Sequence, residues 1–497
     1  MQRLSISFVS LVALAGSAAA QPAPDPQPAP PAEPPAAQPE PPPGAPASPP
    51  APVEVTPQKS GSEVANKPEP PPVSGKWTTS FYGFTQGDII YDTVQGATNG
   101  GGPTEALGNG ALPRPASGTA QMVGQFRALH DQTQVTARNS RLGFRFTAPT
   151  IDGIKPTANI EADFAGNQPN TVSEASLYVN ATFRIRHAFM KLETPFLDVV
   201  VGQTWQLFGW QPNVQPGSVQ AQGLPGWLSS RAPQLRLGKT VKAGDVTVDV
   251  QVAATRAGQR AGGLPDGVAG LRLAYDKLKA ARIVGAAGSG LDSAMIGVSV
   301  IGRRFNVTEL KAGSTDTVQK NGYGLAVDAL IPVVPATKDS KANALTLGGE
   351  FVTGGGIADL YTGLNGGVSL PSTIPGTMPA AAFAPNIDNG LVGYLASDAS
   401  VHAIRWQSIG GFVQYFLPPK GNVVAIVNYA HLSSDNTHNF GAANAAFEKQ
   451  DFVDGSLMFD VTPSVRFGAG FVWLNQTYVD GVEAHDYRGQ LTGIFIF

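Results

Sequence analysis

No cysteine occurs in the 497 residues, so neither a disulfide nor a thiolate metal or nucleophile site can be written into this chain. Charge is scarce too. Asp, Glu, Lys and Arg make up 14% of the residues and leave a formal balance of −3. The first 75 residues carry that whole excess, with Arg3, Lys59 and Lys67 against Asp25, Glu33, Glu40, Glu54, Glu63 and Glu69, and the remainder is neutral. Such a balance gives no support to a nucleic-acid partner. Long apolar runs are also missing. Beyond the first twenty residues nothing is continuously apolar over the roughly 18 residues that a transmembrane helix needs, which excludes a helical membrane protein. The six histidines are scattered, and neither a metal-ligand spacing nor a Gly-rich phosphate loop stands in a strand-turn-helix setting. The expectation is a chain that is not an enzyme and holds neither metal nor cofactor.

What is abundant is glycine, 58 residues, and proline, 42 residues. The chain opens with Arg3, an apolar run from Leu4 to Ala15 and the small-residue end Ala18-Ala19-Ala20. That order predicts a secretory signal peptide over 1–20, cleaved after Ala20. A Pro/Ala-rich tract follows over 21–75, and residues 21–73 hold half of all the prolines. Proline removes backbone donors and fixes φ, so this tract favours extended polyproline II. At about 3.1 Å per residue it spans up to about 160 Å. Two readings stay open: a tether with a periplasmic or cell-wall partner, or a disordered leader with none.

From residue 76 to 497 the pattern changes to runs of period-two alternation separated by Gly, Pro, Asn and Asp. Tyr487, Leu491, Phe495 and Phe497 share one face of the last run, and Arg488, Gln490 and Thr492 share the other. Val246, Val248, Val250 and Val252 alternate with Thr247, Asp249 and Gln251. One face suits lipid and the other water. The connections fall into two kinds. Residues 193–196, 417–421 and 462–464 are tight turns, whereas 93–133, 206–230 and 354–402 are long, which is the arrangement of short periplasmic turns and long outer loops. The fold expected is all-β, a transmembrane antiparallel barrel preceded by the disordered proline tract. Seventeen runs can be traced, and a bacterial single-chain barrel normally has an even number. The Ala-rich run 280–287 is the weakest, which leaves sixteen strands, with eighteen as the alternative. A barrel of that size leaves an aqueous channel.

The first runs, Phe81-Tyr82-Gly83-Phe84-Thr85-Gln86-Gly87-Asp88 and Thr136-Ala137-Arg138-Asn139-Ser140-Arg141-Leu142-Gly143-Phe144, carry a more specific signal. With Asn159 to Phe164, Arg184-Ile185-Arg186-His187-Ala188-Phe189 and Val201-Gly202-Gln203-Thr204-Trp205, they resemble the DcaP-like porins of the bacterial outer membrane. The resemblance covers the first five strands and is general thereafter. It implies a homotrimer of sixteen-stranded barrels that admits small anionic, dicarboxylate-like compounds. The proline tract departs from the helical coiled-coil segment that members can carry, so no role in trimer formation transfers to it.

Arginine on the lipid face at mid-membrane costs about 2 to 4 kcal/mol, so arginines that follow the strand period are expected to line the pore: Arg141, Arg145, Arg184, Arg186, Arg236, Arg272, Arg405 and Arg466. Inward acids are expected at Glu161 and Asp163, with Asp249, Asp328 and Glu350 farther along. Two readings of these rows remain, a guiding ladder for anions and a solvated wall. His187 is expected on the lipid side with Ile185. The 206–230 connection, with Phe208, Trp210 and Trp227, is a candidate for narrowing the pore, or else for packing at a rim or between subunits. Phe495 and Phe497 resemble the signal read by the barrel-assembly machinery. The functional expectation is an outer-membrane porin for small polar solutes. A structural anchor and a barrel hydrolase are the alternatives. A plugged transporter would need a folded N-terminal plug, which a proline tract cannot supply.

Overall fold

The computed structural model describes residues 76–93, 131–166, 182–220, 223–259, 263–311, 314, 316–337, 340–361, 368, 370–383, 385–440 and 447–497. The expected signal peptide and proline tract lie outside them.

Among the described residues nineteen strands are present: β1 (Thr78–Asp92), β2 (Gln132–Thr136), β3 (Arg141–Thr147), β4 (Lys155–Asp163), β5 (Arg184–Glu193), β6 (Asp198–Trp205), β7 (Arg231–Ala243), β8 (Val246–Thr255), β9 (Asp266–Val284), β10 (Gly288–Thr308), β11 (Thr317–Val334), β12 (Leu345–Gly355), β13 (Val392–Leu395), β14 (Ser400–Ala403), β15 (Arg405–Leu417), β16 (Val423–Ser434), β17 (Phe447–Thr462), β18 (Val465–Tyr478) and β19 (Glu483–Ile496). A four-residue helix, α1 (Gln211–Val214), lies in the connection after β6. β2 and β3 both pair with β1, so they form one stave interrupted at 137–140. β13 and β14 pair only with each other. Sixteen antiparallel staves remain, and β1 closes on β19 from Phe84↔Ile496 to Asp92↔Arg488. Closure leaves no unpaired sheet edge, the condition for backbone to stand in lipid.

The run 280–287 is no separate stave. Residues 280–284 continue β9, and 285–287 turn into β10. The turns 148–154, 194–197, 244–245, 285–287, 418–422 and 463–464 share one rim with the two ends of the barrel chain, and on the opposite rim 479–482 joins β18 to β19 in four residues. Gly244 (φ 62°) and Gly421 (φ 67°) sit in two of these turns in the left-handed region, where glycine pays no Cβ penalty.

Alternation sorts the side chains cleanly. Val250, Ile296, Leu491 and Phe495 are more than half exposed on the outside, while Asp249, Gln490 and Arg488 are about 2% exposed within. The apolar band runs around the staves and exceeds the few hundred Å² that water-facing monomers carry in one patch. Among the described residues no helix is long and apolar enough to cross a membrane.

Candidate functional site: an arginine wall inside the barrel

β3, β4 and β5 are adjacent staves, so inward residues of one meet those of the next. Arg141 faces Asp163 in register, and Asp163 faces Arg184. Arg184 donates to both Asp163 oxygens at 2.9 and 2.7 Å. Arg186 bridges two acids, at 2.8 Å to Glu161 and 3.0 Å to Asp163. Arg141 stands 3.5 Å from Glu161. Buried charges of one sign would be costly alone, and the two carboxylates hold three guanidinium groups together. Arg145 keeps the inward phase, is exposed to the interior and lies 5.5 Å above the Tyr82 ring.

A β-bulge changes what β5 presents. The register passes from Glu161↔His187 to Ala162↔Ile185, so Arg186 is an extra residue. Both Arg186 and His187 are therefore buried inside the wall, at 4% and 7% exposure. His187 meets Thr204 through Nδ1 at 3.1 Å. The lipid-side expectation for His187 is corrected by this bulge, which re-aims every later side chain of the strand. Phe189, which simple alternation sets outside, follows His187 inward and lines an interior cavity with Lys191 and Thr204.

The other predicted arginines fall in two groups. Arg236, bonded to Gln234 at 3.0 Å, and Arg272, paired with Asp249, lie on the inner face. Arg466 is inside too, 2.6 Å from Asp460. Arg405 is not. It shares the outward phase of β15 with Ile409 and Val413, is half exposed and pairs with Asp435 at the long-loop rim. The bulky Trp406 takes the inward position beside it, 1% exposed. Simple alternation also gave no weight to Arg231, whose guanidinium lies 4.7 Å over the Trp205 ring that Arg186 approaches at 6.0 Å from its own strand. It adds a further cation to the cluster. Arg282 and Arg303, both buried, carry no mark in the alternation, while Arg488, on the water face of the last run, is buried there as expected. Arg303 is held by Asp266 and Asp359, and Arg488 by Asp92.

The described residues of the 206–230 connection, 206–220 and 223–230, lie inside the barrel along its inner wall. Gly209 N–H donates to Ser299 on β10 at 2.8 Å, Leu228 N–H to Glu350 on β12 at 3.0 Å, and Val219 N–H to Ser456 on β17 at 3.1 Å. Phe208, Trp210 and Trp227 are all buried. Glycines in the wall make room: a Cβ on Gly297 would come within 2.6 Å of Trp210, and one on Gly410 within 2.8 Å of Trp227. This loop fills the β9 to β19 side and leaves the arginine side open. There, a cavity of about 220 Å³ is lined by Arg141, Glu161, Arg186, His187, Trp205 and the turn between β9 and β10. A second, of about 200 Å³, lies toward the short-turn rim beside Lys191, Asp198 and Arg236.

Outside the staves, His402 meets both Ser400 Oγ at 2.8 Å and Asp398 at 2.6 Å through the same nitrogen, Nε2. Burial pushes the Asp398 carboxyl up, and the bonds from His402 and Ser400 outweigh it and hold the group below its ordinary range. With hydroxyl and carboxylate on one ring nitrogen, the histidine cannot relay a proton between them as a triad does.

No family profile matches the chain, and no curated protein matches it. Among solved structures, 85% of this chain superposes on 97% of the outer-membrane channel DcaP of Acinetobacter baumannii, with a TM-score of 0.59 and 19% identity. The anion-selective porin of Comamonas acidovorans follows at a TM-score of 0.43 and 10% identity, over 85% of this chain and 100% of that one. OprB of Pseudomonas putida stands at 0.42 and 10%, over 84% and 94%. At 19% identity the likeness to DcaP is one of fold: this chain has the architecture of that outer-membrane channel.

Proposed function

We propose that this chain is an outer-membrane porin that passes small polar solutes, with a preference for anions. The observation that carries the reading is the arginine wall. Among the described residues, Arg141, Arg184, Arg186 and Arg231 gather around Glu161 and Asp163, beside open space inside a barrel whose outer surface is apolar. A permeating ion responds to charges within about a Debye length, roughly 8 Å at physiological salt, so this local excess outweighs the neutral balance of the whole barrel. Guanidinium groups fixed by carboxylates on neighbouring strands keep their positions and present their positive charge to a passing carboxylate.

The reading includes the parts that go with such a barrel: export with loss of residues 1–20, assembly by the barrel machinery through Phe495 and Phe497, and a homotrimer in outer-membrane lipid. The proline tract is read as a tether. The inward loop bearing Phe208, Trp210 and Trp227 narrows the lumen to the arginine side. A single-channel recording in a salt gradient tests the core of this. An anion-directed reversal potential supports it, and a silent or cation-selective barrel overturns it.

A further inference from the structure

The turn between β9 and β10 does not stop at the rim. The ladder shifts where Asp276, Lys277 and Leu278 have no counterpart on β10, and beyond it 279–284 pair with 288–293 as a second hairpin. Its residues are buried: Ala280, Ala281 and Arg282 at 0% exposure, Ile283 at 1%. Six extended residues reach about 20 Å, and the contacts show where they go. Ile283 N–H donates to Gln414 Oε1 at 2.7 Å, and Gln414 Nε2 donates back to the Ile283 carbonyl at 2.9 Å. Thr346 Oγ donates to the Ala281 carbonyl at 2.9 Å. At the tip, Arg466 of β18 donates to the Ala286 carbonyl at 2.8 Å, and Ala286 and Ala287 pack on Phe84 of β1 and Ile494 of β19. β9 and β10 are the eighth and ninth staves, and β1 and β19 the first and sixteenth. The hairpin crosses the lumen to the opposite wall.

A hairpin edge inside a pore needs partners for its backbone groups, and here wall side chains supply them. Gln414 bonds both ways, as a neighbouring strand would. The tip also joins the inward loop: Gly285 N–H donates to the Pro216 carbonyl at 3.1 Å, and Ser218 N–H to the Gly285 carbonyl at 3.2 Å. Arg282 fastens the same junction through the carbonyls of Asn213 and Gln215, the latter at 2.6 Å. Alanine and glycine are what fit. A Cβ on Gly217 would stand 2.7 Å from the Ile283 carbonyl oxygen.

The geometry points to a fixed partition: hairpin 279–293, entering from the short-turn side and locked to the 206–230 loop, divides the lumen and sets the size limit of the pore. Solute is confined to the space between residues 284–288 and the wall of Arg141, Arg186, His187 and Trp205. Specificity is then imposed from both ends of the barrel, because neither the loop nor the hairpin alone closes the unwanted half. This inference rests on the porin reading.

Lys279 and Ser293 already face each other across the ladder. Residues 280–292 can therefore be replaced by a two-residue Asn-Gly turn, which suits a tight hairpin. Single-channel conductance and liposome swelling with sugars of increasing length compare this chain with the intact one. The shortened chain is expected to conduct about threefold more or better and to admit longer sugars. An intact chain that conducts, with a shortened one of equal conductance and equal cut-off, overturns the partition and leaves the porin reading standing. Silence from both overturns the two together. If the shortened chain does not fold, the intact length carries the test. The chain has no cysteine, so Ala287→Cys places its single thiol in the passage. Modification by a thiol-reactive sulfonate is expected to lower the current. Complete modification with unchanged current, or a thiol that never reacts, overturns the proposal.

Discussion

Arg186 and His187 are consecutive in the chain and both point into the barrel, Arg186 onto Glu161 and Asp163 and His187 onto Thr204. Regular strand geometry forbids this. One extra residue in β5 against β4 permits it and keeps Arg184 inward as well. Deleting Arg186 should restore plain alternation with Arg184 and His187 still inward, and should take from Glu161 and Asp163 the guanidinium that bridges them. Removing one partner from a buried ion cluster costs about 3 to 5 kcal/mol, read as a lower midpoint of heat-induced unfolding. A deletion variant as stable as the parent would show that the bridge does not hold the cluster.

Selectivity should follow local placement. Replacing Arg141, Arg145, Arg184 and Arg186 with Gln is expected to move the reversal potential toward cations. It also strips two buried carboxylates of partners, at a cost of about 3 to 5 kcal/mol. Adding Glu161→Gln and Asp163→Asn should restore folding and bring selectivity close to none. Arg231→Gln alone should weaken anion preference, whereas Arg405→Gln, on the outer face, should leave it unchanged. Equal effects of the last two would sink the arginine-wall reading.

Trp210 rests where Gly297 has no side chain. Gly297→Val is expected to overpack this contact, at about 1 to 3 kcal/mol, and to dislodge the 206–230 loop, seen as a larger or noisier conductance. Gly455→Ala meets nothing within 4 Å and serves as the matched control, with no change expected.

Phe497 closes the barrel as well as ending the chain. It exchanges backbone bonds with Gly83 at 2.9 and 3.1 Å, and its ring lies 5.0 Å from that of Phe81. Removing it forfeits two bonds of about 1 kcal/mol each, besides any signal it gives the assembly machinery. Less heat-modifiable, folded protein in the outer membrane is expected. Unchanged levels would remove Phe497 from both roles.

Export predicts a mature protein that begins at Gln21. Intact mass of the membrane fraction checks this, and Met1 retained there would refute it.

Much of the wall was legible because a barrel repeats one local rule. Lipid outside and water inside impose period two on every stave, so Val250 against Asp249 and Leu491 against Gln490 can be read without a fold. Turn chemistry supplied the connections, and parity gave the count of sixteen. Local rules fail where a residue's direction is decided by its partner strand. The bulge at Arg186 exists only against β4, and Arg405 stands at a strand start where Trp406 claims the interior.

The sequence alone thus determined the barrel, its two faces and the acidic and basic composition of β3 to β5, because these follow from backbone period and the cost of charge in lipid. Only the tertiary structure decided that 279–293 leaves the wall and crosses the lumen. Its alanines and glycines carry no period-two signal, and the groups that hold it, Gln414, Thr346 and Arg466, come from staves far away in the chain.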